Sequence, residues 1–516
     1  MITLRSYVCG QFVPAQGRLD TLVNPATEEP LAQAGGDGVD RQAALEFARR
    51  RGGPALRALS FAQRGALLGS ISKTLSTHRE ELIQLAVANG GNTRGDAKFD
   101  IDGALFTLSA YAELGKSLGE RRLLLDGDGV QLGRTPRFHG QHVLVPRQGV
   151  AVHVNAFNFP AWGLCEKAAP ALLAGVPVLS KPATSSAMLA ARMVELLVEK
   201  AVLPEGALQL LVGSAGDLLR HVGPQDVVAF TGSSDTGSTI RALPEIIKNS
   251  VCVNVEADSL NAAVLGPDAE PGGETYDFFL KDVLRDMTQK AGQKCTAIRR
   301  VLVPEGLAER VREDLIDRLQ ALLVGNPAQE GVRMGPLATR QQLEDVRAGI
   351  DLLARDGRLV YGRTSAPVGV PAGKGFFAGP ALIELEPGAA GPSVHGREVF
   401  GPVATLVPYS GRPEHAAELV ARGQGGLVSS VYSEDLPFIT SVVMGLAPYH
   451  GRIFLGSAKI AEQSTGPGAV LPLLVHGGPG RAGGGEELGG QRALHFYMQR
   501  VALQGSRPVI ERIVAE

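Results

Sequence analysis

The sequence predicts an α/β protein that contains a doubly wound parallel sheet. Short, almost wholly apolar runs such as "GVAVHVN" (149–155) and "DVVAF" (226–230) alternate with helix-length segments between about residues 148 and 256. Strands of this composition are typical of parallel sheets whose two faces are covered by helices. In such a sheet, the loops at the carboxyl ends of the strands form the ligand crevice.

Five strands and three helices follow from this pattern. In one helix, apolar residues recur every four positions behind a candidate N-cap, either Thr184 or Ser185. The predicted strands are 149–155, 176–180, 207–212, 226–230 and 251–255, and the predicted helices are 160–173, 185–201 and one that begins near Asp235. Together they form three successive βαβ units.

The rest of the chain is arranged around this sheet. Residues 40–118 read mostly as helices and 128–148 as a β-hairpin. A strand at 299–306, an amphipathic helix to about Leu323 and the later runs "RLVYG" and "ATLVPYS" indicate a second α/β domain. The predicted parts are a first domain from 1–127 and 148–256, a second domain from 257–478, and a small β element from 128–147 and 490–516.

Composition and charge indicate a globular protein with a small-molecule partner. Of 516 residues 44% are apolar, and 51 basic side chains nearly balance 53 acidic ones, so no overall field favours nucleic acid or an anionic membrane. The N-terminus has no basic region followed by an apolar one, and no segment approaches the run of about 18 apolar residues that a membrane span needs. We expect a cytoplasmic protein with no nucleic-acid or membrane partner.

The chain has four cysteines, and their spacing indicates neither a disulfide framework nor a zinc site. Cys295 lies in "KAGQKCTAIRR" (290–300), where polar neighbours do not make an apolar core. From the residues alone, this thiol is either a nucleophile or one more small apolar side chain. Cys9, Cys165 and Cys252 are interpreted as structural, with Cys252 in the core.

Five separated motifs resemble, in order and spacing, those of the aldehyde dehydrogenase superfamily. They are "NAFNFP" (155–160), "SKPAT" (180–184), "FTGSSDTG" (230–237), "VEADSLN" (255–261) and "GQKC" (292–295). The resemblance spans nearly the whole chain, and it is specific because all five motifs agree. It implies a dinucleotide-binding first domain, a catalytic second domain and a small β element for oligomerisation.

The resemblance implies that the chain oxidises an aldehyde to a carboxylic acid. Cys295 would attack the aldehyde carbon, and Glu256 would activate the water that hydrolyses the resulting thioester. Partial burial is expected to bring the pKa of Glu256 toward the working pH. Asn158 and the backbone N–H of Cys295 would donate to the oxyanion, while Lys167 would support the site. No metal is implied, since amide donors stabilise the oxyanion.

Local alternatives and departures accompany these assignments. Without the family, Glu256 is a solvated strand end and Asn158 is a cap of the following helix. Phe157 stands where the family usually has tryptophan. Residues 257–260, Ala-Asp-Ser-Leu, replace the usual Leu-Gly-Gly-Lys, so the loop after Glu256 is expected to differ in geometry.

The resemblance also implies a nicotinamide dinucleotide in the first domain. Within the Lys181–Thr184 motif, which includes Ala183, Lys181 would bind the adenosine ribose and Thr184 would contact its 2′ position. A glutamate at that place would repel a 2′-phosphate by about 4 kcal/mol for one charge pair at about 4 Å, whereas threonine can donate a hydrogen bond. The sequence therefore favours NADP, with NAD as the alternative.

Two further motifs are implied to contact the cofactor. The loop after strand 226–230 opens a helix, and its backbone N–H groups would approach the pyrophosphate. Glu398 would bind the nicotinamide ribose and Phe400 would position the ring. The loop residues concerned are Thr231, Gly232, Ser233 and Gly237.

A literal G-x-G-x-x-G occurs at 478–483, within "HGGPGRAGGGEELGG". It contains Pro479 and an adjoining glycine cluster rather than a helix start followed by an acidic residue, so it fails the context of a dinucleotide fingerprint. We interpret this tract as a structural loop. Arg481 within it is open to two interpretations, a ligand of CoA phosphates or a surface side chain.

The substrate is implied by resemblance alone. The stretches "NAFNFPAW", "EADSLN" and "HGGPGRAGGGEELGG" most resemble family members that oxidise CoA-linked semialdehydes in bacterial aromatic degradation, such as 3,4-dehydroadipyl-CoA semialdehyde in the benzoate route. Two other functions stay open, a CoA-acylating aldehyde dehydrogenase and an inactive structural relative. The hairpin at 128–147 and "LHFYMQRVALQ" (494–504) resemble elements that pair subunits, which implies a homodimer or a dimer of dimers.

Overall fold

The first of two seven-stranded sheets is the doubly wound sheet that the sequence predicts. The structure, a computed structural model, describes residues 1–362 and 365–515. From edge to edge this sheet runs through Cys252–Glu256, Val227–Thr231, Ala151–Val154, Val178–Lys181, Leu208–Leu210, Arg5–Val8 and Gln11–Pro14. The first five strands are parallel, which confirms the predicted fold class, and the last two pair antiparallel.

The order of the strands creates an opening at their carboxyl ends. The chain passes outward from Ala151–Val154 to Leu208–Leu210, and then returns to Val227–Thr231 on the other side of Ala151–Val154. Connections that leave neighbouring strands in opposite directions leave a crevice above those strands. The motifs at 155–160 and 230–237 therefore lie beside the same crevice.

Two separate cores explain why these strands are almost wholly apolar. Ala151 and Val178 belong to one buried cluster, whereas the next residues along each strand, Val152 and Leu179, belong to another. Successive side chains of a strand point to opposite faces, so a sheet that is covered on both faces needs apolar residues at every position.

Helices cover these faces. The three predicted helices are present as Pro160–Ala174, Ala187–Glu199 and Ser234–Arg241. The predicted N-cap of the second helix, Thr184 or Ser185, is wrong, because a 3₁₀ turn at Thr184–Ser186 precedes the helix and its N-cap, Ser186, makes no side-chain capping bond. The helices ahead of the sheet are Arg41–Phe47, Gly53–Arg57, Phe61–Thr77, Arg79–Gly90 and Arg94–Leu118.

The second sheet forms the second α/β unit. It runs through Arg358–Gly362, Ala381–Glu384, Val403–Tyr409, Arg300–Pro304, Ala262–Leu265, Gly426–Tyr432 and His450–Gly456. The edge strand Arg358–Gly362 is antiparallel and the others are parallel. Its longer helices are Glu274–Thr288, Ala308–Gln320, Arg340–Leu353, Pro413–Ala421 and Leu436–Leu446.

Three smaller β elements lie outside these sheets in the described part of the chain. Pro30–Ala34 pairs parallel with Ile2–Thr3 and antiparallel with Asp20–Val23. Phe138–Pro146 pairs antiparallel with Met498–Ser506 and, in the predicted hairpin, with Val130–Gln131. A two-stranded ribbon joins Val475–Gly478 to Gly485–Leu488, which gives the glycine-rich tract a regular structure. No helix in the described part of the chain is long and apolar enough to cross a membrane.

Candidate active site

A pocket of about 480 Å³ lies at the carboxyl ends of the strands of the first sheet. Its lining brings together the four residues predicted to be catalytic, Cys295, Glu256, Asn158 and Lys167. Glu256 and Asn158 come from the first sheet, because Glu256 ends strand Cys252–Glu256 and Asn158 follows strand Ala151–Val154, with Val227–Thr231 between these two strands. Cys295 lies far from Asn158 in the sequence. The second unit packs against the crevice and brings the two residues together.

Cys295 is presented by an unusual turn after helix Glu274–Thr288. Lys290 and Ala291 both have left-handed backbone angles, with φ of 54° and 52°. Gly292 follows at φ 69°, and a Cβ atom there would lie 2.1 Å from the carbonyl oxygen of Gly401, so this position requires glycine. The turn thereby directs the following loop, with its thiol, into the pocket.

Backbone hydrogen bonds hold the nucleophile loop in place. The side-chain amide of Asn261 donates to the carbonyl oxygens of Cys295, at 2.8 Å, and of Ala297, at 2.9 Å. The backbone N–H of Cys295 donates to no acceptor in the described chain, so it is available to an oxygen in the pocket. The pKa of the Cys295 thiol is raised well above its usual range by burial and by the negative charge of Glu256.

The side chain of Asn158 contacts the nucleophile loop rather than the helix that follows it. Its Nδ2 donates to the carbonyl oxygen of Gln293 at 3.0 Å. Helix Pro160–Ala174 has Phe159 at its N-cap, which excludes the capping alternative for Asn158. An amide nitrogen carries two hydrogens, so the second N–H of Asn158 can donate into the pocket.

Glu256 is a buried carboxylate that lies next to a histidine. Its side chain is 3% exposed, so it is not a solvated strand end, and its Oε2 lies 3.2 Å from Nε2 of His476. Nε2 of His476 also lies 3.8 Å from Sγ of Cys295. Nε2 of His476 therefore lies between the Glu256 carboxylate and the Cys295 sulfur.

The expected upward shift of the pKa of Glu256 is wrong. Burial favours the neutral acid, but the nearby charges of His476 and then Lys167 outweigh it and lower the pKa of Glu256 to about 2. Burial alone would lower the pKa of His476, yet the same carboxylate raises it. The site therefore holds Glu256 as a carboxylate, and its negative charge favours the protonated form of His476.

Lys167 connects Glu256 with two further buried carboxylates. Its Nζ lies 3.1 Å from Glu166 and 3.0 Å from Glu487, whose other oxygen accepts from Asn254 at 3.0 Å. Carboxylate oxygens of Glu166, Glu256 and Glu487 all lie within 4.8 Å of one another. Burial raises the pKa of Glu166 to about 7, so this acid can hold or release a proton near neutral pH.

The loop predicted to approach a pyrophosphate does open a helix. Ser233 is the N-cap of Ser234–Arg241 and accepts from the N–H of Thr236 at 3.3 Å. Gly237 permits close packing, since a Cβ there would lie 2.8 Å from Val255. Gly232 and Thr231 precede the cap, and the buried hydroxyl of Thr231 has no partner in the described chain.

Asp258, one of the departures from the family pattern, occupies part of this helix start. Its carboxylate accepts from the backbone N–H of Ser234 at 3.1 Å and from the hydroxyl at 2.8 Å. A carboxylate at a helix N-terminus is favourable for the same electrostatic reason as a phosphate. The altered loop after Glu256 therefore takes one of the donors that the sequence assigns to the pyrophosphate.

Lys181 and Thr184 lie together after a strand of the first sheet. Burial lowers the pKa of Lys181, whose ammonium makes no ion pair or side-chain hydrogen bond within the described chain. Ala183 and Thr184 follow at the start of the 3₁₀ turn, and both are partly exposed. A partly buried cation without an acceptor fits a ligand with hydroxyl or phosphate oxygens, as the implied cofactor has.

Glu398 and Phe400 lie at the edge of the second unit, beside Arg299. Oxygen atoms of Glu398 accept from the backbone N–H of Ser259 at 2.9 Å and from the Arg299 guanidinium at 3.2 Å. Burial raises the pKa of Glu398 to about 7. Phe400 makes an edge contact with Phe157, whose ring centroid lies 5.9 Å away, so the residue that replaces the usual tryptophan supports this aromatic side chain.

Sequence reasoning missed three buried residues of the site, His476, Glu487 and Glu166. His476 and Glu487 belong to the tract interpreted from the sequence as a structural loop. Close packing requires glycine at position 483 of this tract, because a Cβ atom there would lie 2.2 Å from the carbonyl oxygen of Val255. The ribbon within this tract brings His476 to the pocket and Glu487 to an adjoining cavity that Glu166 and Lys167 also line. The available sequence signal for these residues was that His476 and Glu487 lie within a glycine-rich tract.

Comparison with known proteins identifies the family. Residues 12–503 match the aldehyde dehydrogenase family. The chain is 47% identical over 478 residues to a 3,4-dehydroadipyl-CoA semialdehyde dehydrogenase of Aromatoleum evansii, covering 92% of this chain and 93% of that protein. It is 27% identical over 499 residues to a hydroxyisobutyraldehyde dehydrogenase of Mycolicibacterium austroafricanum, covering 96% and 92% of the two chains.

Solved structures agree on the fold. Lactaldehyde dehydrogenase from Escherichia coli superposes with a TM-score of 0.84 at 24% identity, covering 98% of this chain and 99% of that chain. Betaine aldehyde dehydrogenase from Staphylococcus aureus, solved in complex with NAD⁺, gives 0.84 at 22% identity, covering 98% and 95%. On these grounds the chain belongs to the aldehyde dehydrogenase family.

Proposed function

We propose that this protein oxidises an aldehyde to a carboxylic acid through a covalent intermediate on Cys295. The observation that carries the proposal is the meeting of the Cys295 thiol, the Glu256 carboxylate and the Asn158 amide in one pocket. These three groups supply a nucleophile, a base and an oxyanion donor, which are the parts that acyl chemistry requires. An inactive structural relative would have no need to retain all three.

Attack by the thiol forms a tetrahedral thiohemiacetal. The proton of Cys295 has an acceptor beside it, since the carboxylate of Glu256 lies next to the sulfur. As sulfur bonds to the carbonyl carbon, negative charge develops on the aldehyde oxygen. The backbone N–H of Cys295 and the second N–H of Asn158 would donate to that oxygen.

The thiohemiacetal then loses a hydride and becomes a thioester of Cys295. The bound nicotinamide cofactor supplies the hydride acceptor. Glu256 then takes a proton from water as the water oxygen attacks the thioester carbon, and the carbon–sulfur bond breaks to release the acid and the thiol. The proton can leave through the buried carboxylates around Lys167, where Glu166 titrates near neutral pH.

Asn158→Ala is expected to lower kcat about 100-fold while leaving the KM for the aldehyde nearly unchanged. Loss of one oxyanion donor typically costs about 3 kcal/mol in the barrier, and that donor acts mainly in the transition state. Steady-state kinetics measure both constants. Asn249→Ala is the matched control, because Asn249 also donates to a backbone carbonyl, that of Val222, but lies outside the pocket. An unchanged kcat in Asn158→Ala would remove this residue from the oxyanion site.

NADP is the proposed cofactor, supported by the unpaired ammonium of Lys181 beside the uncharged Thr184. Thr184→Glu is expected to lower kcat/KM for NADP by about 100-fold, because the new carboxylate repels the 2′-phosphate. The value for NAD should change little. Thr184→Gln is the control that adds the same bulk without the charge. An equal loss for both cofactors in Thr184→Glu, or a wild-type preference for NAD, would contradict this assignment.

A CoA-linked semialdehyde such as 3,4-dehydroadipyl-CoA semialdehyde is the proposed substrate, supported by the 47% identical relative of that name. Purified protein with this compound and NADP is expected to give a product that keeps one CoA and gains a free carboxylic acid. Mass spectrometry of the product measures this. A second thioester formed when free CoA is added would instead support the CoA-acylating alternative.

A homodimer or dimer of dimers is the proposed assembly. The small sheet that pairs Phe138–Pro146 with Met498–Ser506 exposes apolar side chains, among them Phe138 and Val501, and exposed strand edges favour pairing with another chain. Light scattering on the eluting protein measures the mass in solution. A single 54.1 kDa species at all concentrations would contradict the proposal.

A further inference from the structure

We propose that Cys295, Glu256 and His476 form a site for Zn²⁺ or a chemically similar divalent ion, and that an ion bound there inhibits the enzyme. Metal binding at this place is separate from the oxidation of aldehydes, whereas its inhibitory effect rests on the proposed function. The three side chains offer a sulfur, a carboxylate oxygen and an imidazole nitrogen, which is the donor set that zinc prefers in proteins.

The spacing of the three donor atoms fits one tetrahedral ion. Zinc lies about 2.3 Å from sulfur, about 2.0 Å from imidazole nitrogen and about 2.1 Å from carboxylate oxygen, so tetrahedral angles require about 3.6 Å between sulfur and nitrogen and about 3.4 Å between nitrogen and oxygen. The structure has 3.8 Å from Cys295 Sγ to His476 Nε2, and 3.2 Å from that nitrogen to Glu256 Oε2. All three atoms lie within 4.8 Å of one another.

Glu256 supplies a second, independent observation. Its Oε2 is buried, belongs to a side chain that is 3% exposed, and lies 3.2 Å from Nε2 of His476. The ammonium of Lys167 contacts Glu166 and Glu487. A buried carboxylate needs a positive charge beside it, and a divalent ion held by Glu256, His476 and Cys295 would supply that charge.

Coordination needs no oxidant or reductant. The thiol of Cys295 and the protonated form of His476 give their protons to solvent as the ion binds, and the sulfur, the imidazole nitrogen and the ionised Glu256 then donate lone pairs. The pocket borders all three side chains, so water can take the fourth position. The ion would occupy the nucleophile and the base together, and inhibition would therefore be complete, reversible by a chelator and competitive with alkylation of Cys295.

Cobalt(II) binding to the resting protein tests the site without reference to activity. We expect one equivalent of Co²⁺ to give a thiolate-to-metal charge-transfer band and visible bands with the intensity of a four-coordinate ion, and Zn²⁺ to displace it. Zn²⁺ should also protect Cys295 from iodoacetamide, as peptide mass spectrometry measures. A spectrum without the charge-transfer band, or undiminished alkylation of Cys295 in saturating Zn²⁺, would overturn the proposal.

Variants locate the ion. His476→Phe is expected to weaken Zn²⁺ affinity more than about 100-fold, because loss of a group that merely supports a ligand already costs about 10- to 100-fold. His415→Phe makes the same change at the surface and should leave affinity unchanged. If His476→Phe fails to fold, as judged by circular dichroism, His476→Asn replaces it. An unaltered Zn²⁺ affinity in the folded variant would overturn the proposed metal site. Tight Zn²⁺ binding at Cys295 without inhibition of aldehyde oxidation would instead contradict the proposed catalytic roles of Cys295 and Glu256.

Discussion

Replacing Cys295 by alanine is expected to abolish aldehyde oxidation, with kcat lower by about 10⁴-fold or more. No thiohemiacetal can form without the sulfur, and loss of a covalent nucleophile usually removes nearly all of the rate enhancement. The fold should persist, since the loop is held by Asn261 and by the turn at Gly292 rather than by the thiol itself. Reduced-nicotinamide absorbance with a saturating aldehyde measures the effect.

Cys9→Ala is the matched control. Cys9 is partly buried in the first sheet region and its backbone N–H donates to Gln209, far from the pocket. The activity of the Cys9→Ala variant should equal that of the wild type. Substantial turnover by Cys295→Ala, at a rate above one hundredth of the wild-type rate, would mean that another group attacks the aldehyde, and the covalent mechanism would then be wrong.

Glu256→Gln is expected to stop the reaction after one hydride transfer per site. The amide keeps the shape of the carboxylate but cannot take a proton from water, so the thioester forms and is not hydrolysed. Stopped-flow absorbance should therefore show a burst of about one equivalent of reduced cofactor. The steady-state rate that follows should be lower by about 10² to 10⁴-fold.

The exposed neighbour Glu486 provides the control for this change. Glu486→Gln lies on the same ribbon as Glu487 but outside the buried carboxylate cluster, so it should leave both the burst and the steady-state rate unchanged. A Glu256→Gln enzyme that turns over at the wild-type rate would show that Glu256 does not activate water. Recovery of its full rate by added CoA would favour the acylating alternative.

The sheets were predictable because the signal for them is local. Most positions of a doubly covered strand are apolar, and the side chains of Ala151 and Val152 belong to opposite cores, so a few residues are enough to show the pattern. The N-cap of helix Ala187–Glu199 was predicted wrongly because it was judged from side-chain type alone. Thr184 and Ser185 have the chemistry of caps, but the chain makes a 3₁₀ turn there before the helix begins.

The electrostatics of the pocket were not predictable from local pattern. Glu256 meets His476 only because the ribbon at 475–488 folds back on the end of strand Cys252–Glu256, and long-range contacts of this kind leave no periodic trace. Burial alone suggested a raised pKa for Glu256, yet the positive charges of His476 and Lys167 reverse its direction. Among the three clustered carboxylates Glu166, Glu256 and Glu487, burial raises the pKa of Glu166, which sequence reasoning did not single out.

Peptide mapping of the trapped intermediate tests the central claim most directly. Glu256→Gln protein is mixed with the aldehyde substrate and oxidised cofactor, quenched in acid, and digested for mass spectrometry. We predict that the peptide containing Cys295 gains the mass of the acyl group, and that no other peptide does. Production of one equivalent of reduced cofactor without an acyl group on Cys295 would contradict the account.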